Sequence, residues 1–211
     1  PPVPLLAGFF AKRGLGKTTT ACRMLKSYID AGVFNKDWVF VVSPTAIAQR
    51  HLFLYLGLAD GNVYTSTLKP AIDAILERMT TGKKLWEMEQ EYAEAYQLLA
   101  SRPSALTPRQ IGVLESRDGM PPMRTATYPR SCVLIDDASH QKNGLNAPWF
   151  VNLALRHRHV VGGAGLSMII CVQSLHQGIS RSVRQNLSFI AVWTTHDKTC
   201  KEDLYKEVSA Y

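Results

Sequence analysis

The stretch Ala11-Lys12-Arg13-Gly14-Leu15-Gly16-Lys17-Thr18-Thr19 has the residue types of a phosphate-holding loop. Such a loop follows the pattern G-x-x-x-x-G-K-[ST] between a strand and a helix. Gly16 lets the backbone approach the phosphates. The amides of residues 11–19 and the N-terminus of the helix that follows then face the anion. Lys17 brings a positive charge to the β- and γ-phosphates, and Thr18 brings a hydroxyl to Mg²⁺. The frame predicts ATP as ligand, with Ala11 to Thr19 lining it. Ala11 stands where the pattern asks for glycine. At positive φ an alanine costs roughly 1 kcal/mol, so the loop closes without strain only if Ala11 keeps an ordinary backbone conformation.

A second constellation is Ser131-Cys132-Val133-Leu134-Ile135-Asp136-Asp137. An apolar strand there delivers two carboxylates to its C-terminal end, where α/β sheets bind ligands. Asp136 is expected to hold Mg²⁺ directly or through water, and Asp137 to orient or deprotonate an attacking water. The plainer alternative is a pair of loop carboxylates capping the next element. Gln173 ends another apolar run, Ser167-Met168-Ile169-Ile170-Cys171-Val172. It is placed to sense a γ-phosphate or position water, or else it is a surface glutamine.

Elements with the right periods surround these residues. Apolar runs at 3–10, 38–43, 132–136, 167–172 and 189–193 read as strands. Residues 17–31 and 68–100 read as helical, the second broken near Thr80–Gly82, with Gly32 stopping the first. Alternating strands and helices argue for a mostly parallel central sheet flanked by helices. Leu85, Met88, Tyr92, Tyr96 and Leu99 recur at helical spacing and are expected to pack on the core. Residues 101–130, rich in proline and arginine, read as a long connection, either facing DNA or simply solvated. With 211 residues, 46% of them hydrophobic, the chain suits one α/β domain over 1–211 with a helical and loop insertion at 66–130. It starts at Pro1, as a fragment lacking its initiator Met would.

No run nears the ~20 apolar residues of a membrane span. Cys22, Cys132, Cys171 and Cys200 show no paired spacing and read as reduced core thiols of an intracellular protein. His157 and His159 alternate as a metal pair on a strand would, but no third ligand is near in sequence, so no metal is assigned there. The net charge of +7 suits a polyanionic partner such as nucleic acid.

In this order the pieces resemble the poxvirus-type genome-packaging ATPases of large DNA viruses and their smaller relatives, in the FtsK/HerA superfamily. The resemblance rests on GLGKTT, FVVSPT (40–45), LIDD, LALRHRH (153–159) and CVQSLHQGISRSVRQN (171–186), and covers roughly residues 3–195. It implies a P-loop NTPase of RecA-like, additional-strand type, forming a pentameric or hexameric ring that pumps double-stranded DNA into a preformed capsid. Implied partners are double-stranded DNA, held mainly through its phosphates, and viral capsid proteins, with no membrane. The implied location is the host cytoplasm or viral factory. DNA contacts would come from among Lys83, Lys84, Arg102, Arg109, Arg117, Arg124 and Arg130. Catalytic roles would fall to Lys17, Asp136, Asp137 and Gln173, with Arg156 or Arg184 reaching a neighbouring subunit's site. Arg181 reads as a surface residue. The competing readings are a cellular pump or helicase of the same superfamily and a nucleotide-binding assembly protein without turnover.

Overall fold

The computed structural model describes residues 4–117, 120–122, 127–138, 144–174, 178–193, 198, 201–202 and 205. The chain divides into two compact units, residues 1–76 with 129–211, and residues 77–128.

The first unit is built on six strands: β1 (Leu6–Phe10), β2 (Val39–Val42), β3 (Val63–Tyr64), β4 (Ser131–Asp136), β5 (Leu166–Val172) and β6 (Phe189–Val192). Their order across the sheet is β3-β2-β4-β5-β1-β6, and every pairing is parallel. β5 therefore lies between the strand that leads into the phosphate loop and the strand that carries the acid pair. That is the additional-strand arrangement expected above.

Strands β1, β2, β4 and β5 are buried along their whole length, which is why they read as unbroken apolar runs rather than alternating ones. One sheet face carries Ala7, Phe9, Val39, Val41, Cys132, Leu134, Ile169 and Cys171. These form the main core with Ala21, Cys22 and Leu25 of helix α1 (Lys17–Asp30), Phe53 of helix α2 (Arg50–Tyr55), and Phe34. The opposite face carries Leu6, Phe10, Phe40, Val133, Met168 and Ile170, equally buried. On α1 Lys17, Thr18, Ala21, Cys22 and Leu25 are buried and fall three and four residues apart, so one stripe of that helix seals the sheet. Gly32, at φ +68°, ends the helix as expected.

Helix α3 (Leu68–Ser101) begins in the first unit and continues into the second. It is one unbroken helix, against the expected break near Thr80–Gly82. Gly82 keeps a negative φ, and a lone mid-helix glycine costs only about 1 kcal/mol. Buried Met79 and the Lys83–Glu87 pair flank that site.

Within the second unit, Tyr92 and Ala95 of α3 pack against Leu114 of helix α4 (Pro108–Glu115), with Tyr96, Leu106 and Val113 around them. Two expectations change here. The 101–130 connection contains a helix, opened by a capping box in which Thr107 Oγ1 accepts from the Gln110 amide and Gln110 Oε1 accepts from the Thr107 N–H. The apolar stripe of α3 is buried only in its middle: Leu85, Met88 and Leu99 are 61%, 58% and 44% exposed, because α4 spans eight residues and covers only part of α3.

Candidate nucleotide site

β1 ends in the loop that opens α1. Ala11 continues the β1–β5 ladder by donating its N–H to the Val172 carbonyl at 3.3 Å. Among the described non-glycine residues only Asp137 and Val161 have positive φ, so alanine replaces glycine at position 11 without backbone strain. Left-handed geometry is needed further along, at Gly14 and Gly16, both at φ +82°. Gly16 is the N-cap of α1, and no side chain caps that end. The first-turn amides therefore meet the loop's cavity with the positive end of the helix dipole behind them.

That cavity, of about 320 Å³, is lined by Arg13, Gly14, Gly16, Lys17, Thr18 and Thr19 from the loop. Asp136 and Asp137 line it from the end of β4, Gln173 from the end of β5, and Thr45, Ala48, Gln49 and Leu52 from the segment after β2. The acid strand and the phosphate loop meet directly: Thr18 Oγ1 donates to Asp136 Oδ2 at 3.1 Å. Gln173 Nε2 donates to Asp137 Oδ1 at 3.5 Å, the long limit of such a contact. Asp137 itself sits at φ 53°, a conformation that aspartate tolerates better than most residues and that turns its side chain away from the strand's alternation.

Asp136 is 1% exposed. Burial pushes its carboxyl above the usual range. The Thr18 hydrogen bond and the Lys17 charge oppose that, the charge of Asp137 adds to it, and the Gln49 amide opposes it. Its second oxygen, Oδ1, is buried with no partner. A buried carboxylate oxygen without a donor, beside a threonine hydroxyl and a phosphate loop, suits a hard divalent cation such as Mg²⁺. Thr18 and Asp136 are the residues that would hold it.

Other expected residues lie elsewhere. Lys12, Leu15 and Ala11 do not line the cavity. Arg184 is 7% exposed and donates Nη1 to the Ile179 carbonyl at 2.8 Å, within its own loop. Arg156 is exposed at the end of helix α5 (Pro148–Arg156) and lines a separate cavity of about 260 Å³ with Trp149, Asn152, Leu153, His159 and Val160. His157 and His159 follow this helix instead of forming a strand pair. His157 is buried with Nδ1 on the Ala154 carbonyl at 2.7 Å, and burial holds its pKa below the ordinary value.

Cys22, Cys132 and Cys171 are free and buried. Burial, with the charge of Asp136, pushes the Cys22 thiol up to about 12. Cys200 and Arg124 lie outside the described residues. Of the basic residues expected on DNA, Lys83, Arg109 and Arg117 form ion pairs with Glu87, Glu91 and Glu89. Sequence reasoning missed Thr45, Ala48, Gln49 and Leu52 as cavity residues. Their one signal was the position of Ser-Pro-Thr at the end of a central strand.

No family model and no curated protein matches the chain. Among solved structures it is similar to the cytoplasmic domain of EssC, at 18% identity and a TM-score of 0.52, over 96% of this chain and 35% of that one. The fold is that of a P-loop ATPase domain. Also similar are EssC (ATPases 2 and 3) from Geobacillus thermodenitrificans, at 17% identity and TM-score 0.49, with 34% of that chain covered. A third is the cytoplasmic domain of the Thermomonospora curvata type VII secretion ATPase EccC, at 17%, 0.44 and 22%. This chain spans about a third of the length of the two EssC chains and less of EccC. No helix among the described residues is long and apolar enough to cross a membrane.

Proposed function

We propose that the protein hydrolyses ATP as one subunit of a ring-shaped motor that drives double-stranded DNA into a preformed viral capsid. The observation that carries the ATPase reading is the Thr18–Asp136 hydrogen bond, which joins the phosphate loop and the acid strand around one cavity. In this reading the α1 amides and Lys17 hold the β- and γ-phosphates. Mg²⁺ at Thr18 and Asp136 would neutralise phosphate charge. Asp137, with its carboxylate in the cavity and Gln173 beside it, takes the proton of the attacking water. Packaging as the motor's task is supported by the sequence resemblance and by the positive net charge.

None of the arginines after β4 lines the cavity. An arginine from a second copy would supply charge at the γ-phosphate, a contribution of about 10³–10⁵ in rate. Arg156 suits that role better than Arg184, whose guanidinium is buried against its own loop.

A second reading, a cellular pump of the same superfamily, is favoured by the likeness to EssC. Phosphate release, measured with and without long double-stranded DNA, tests the assignment. Lys17→Ala is expected to lose nucleotide binding. Asp137→Asn is expected to bind but turn over about 10²–10⁴-fold more slowly. Equal turnover in parent and both variants removes the roles assigned to Lys17 and Asp137, and turnover indifferent to DNA removes DNA as the motor's cargo. Mixing Arg156→Ala subunits with Asp137→Asn subunits is expected to restore part of the activity if the arginine acts across an interface.

A further inference from the structure

Four buried side-chain polar atoms among the described residues have no hydrogen-bond partner: Gln49 Oε1, Ser131 Oγ, Asp136 Oδ1 and His157 Nε2. Two of these residues, Gln49 and Asp136, line the same cavity. Both orphans are oxygens, so neither can satisfy the other: each needs a donor or a cation. Folded proteins leave few such atoms, and each one calls for a group that completes it.

The setting narrows what that group is. Asp136 is already bonded through Oδ2 to Thr18. Gln49 lines the same cavity as that carboxylate. Its Oε1 is buried without a partner in the wall of the cavity that Asp136 also lines. Gln49 is the residue immediately before α2 and caps that helix with no side-chain bond, so its side chain is free of local duty. Mg²⁺ retains several waters when it binds through one or two carboxylates and phosphates, and those waters need acceptors.

We propose that Gln49 is part of the cation site: its Oε1 accepts a hydrogen bond from a water of the divalent cation's shell, and Asp136 Oδ1 meets the same shell. This rests on the reading of the cavity as a Mg²⁺–nucleotide site. Gln49 thereby positions the hydrated metal without touching the reacting atoms. Outer-shell groups of this kind change metal affinity by about 10–100-fold when removed.

The test is Mn²⁺ binding followed by the electron paramagnetic resonance signal of free Mn²⁺, at saturating ADP, for the full chain and for Gln49→Met and Gln49→Glu. Binding of a fluorescent ADP in excess chelator is measured alongside, with circular dichroism melts as the fold check. Gln49→Met keeps the length of the side chain and removes both polar atoms. It is expected to weaken Mn²⁺ about tenfold while metal-free nucleotide affinity stays parental. Gln49→Glu, which places a second carboxylate against the cation's shell, is expected to bind Mn²⁺ at least as tightly as the parent. Parental Mn²⁺ affinity in Gln49→Met overturns the proposal and leaves an ordinary buried water as the partner of the two oxygens. Weakening by Gln49→Glu equal to that by Gln49→Met overturns it as well. A parent that binds ADP neither with nor without Mn²⁺ overturns the nucleotide-site reading itself, a result distinct from either.

Discussion

Asp136 is held ionisable in a place that disfavours its charge, and that tension has measurable effects. Its carboxyl is raised chiefly by burial. A carboxyl raised on folding binds protons more tightly in the folded chain, so its contribution to stability is fullest at low pH. That contribution is lost as pH rises from the unfolded value through the raised folded one. Asp136→Asn is therefore expected to raise the melting temperature of the nucleotide-free protein at neutral pH, by about 2–4 °C for each kcal/mol relieved, while abolishing metal-dependent nucleotide binding. In the parent, cation affinity at saturating ADP is expected to fall as pH drops toward the raised carboxyl pKa, because the ligand must be deprotonated. Calorimetric titration across pH 5 to 8 checks this, and a flat profile contradicts it. Lys17, Thr18, Asp136 and Asp137 were legible from sequence because each motif is contiguous and carries its chemistry in its spacing. Gln49 was not. It reaches the cavity only because β2 pairs with β4, a fact of strand order that no local pattern states.

At the scale of elements, the helical pair of the second unit is secured by charge as much as by apolar contact. Arg117 pairs with Glu89, which is 6% exposed, and lies over the Tyr92 ring at 4.7 Å. Arg117→Ala strands the glutamate and removes the cation–π contact. It is expected to destabilise this unit by on the order of 2–3 kcal/mol, below a fully buried pair because Arg117 is partly exposed. Denaturant melts show whether it does. Thr107→Ala breaks the capping box and is expected to cost about 1 kcal/mol in the same measurement. Five of the six strands were readable, four of them to within a residue at each end, since buried parallel strands are short and apolar throughout; β1 starts three residues later than expected, and β3, two half-buried residues long, was missed. Helix α4 was overlooked although Thr107-Pro108-Arg109-Gln110 is a capping sequence, because the surrounding prolines drew the reading toward loop. The spurious break at Gly82 weighed a glycine's propensity above the neighbours that hold the turn.

For the whole molecule, charge is divided unevenly. Residues 77–128 contain seven acidic and seven basic side chains, so the net +7 belongs to the other unit. Within that unit no Asp or Glu occurs from Ala138 to His196, a stretch that includes α5, β5 and the short helix Arg181–Arg184. Arg158 and Arg181 there are exposed. For the proposed ATP-driven motor the exposed arginines of this stretch, rather than the insertion, are expected to meet phosphates. Arg158→Glu with Arg181→Glu should weaken DNA binding uniformly across sequences and reduce the salt slope by roughly 2. Lys83→Glu, whose parent residue is spent on Glu87, should leave that slope unchanged. Equal slopes for both variants would contradict the assignment. The positive balance was visible in composition. Its confinement was not, because the limits of the second unit, Glu77 and Tyr128, are set by contacts made in the folded chain.

The placing of β5 between β1 and β4 also makes the sheet a spacer of fixed gauge. Two strand intervals, about 10 Å, separate the root of the glycine-rich turn from the root of the acid pair. Side chains close that interval, Thr18 Oγ1 reaching Asp136 Oδ2 past the tip of the middle strand.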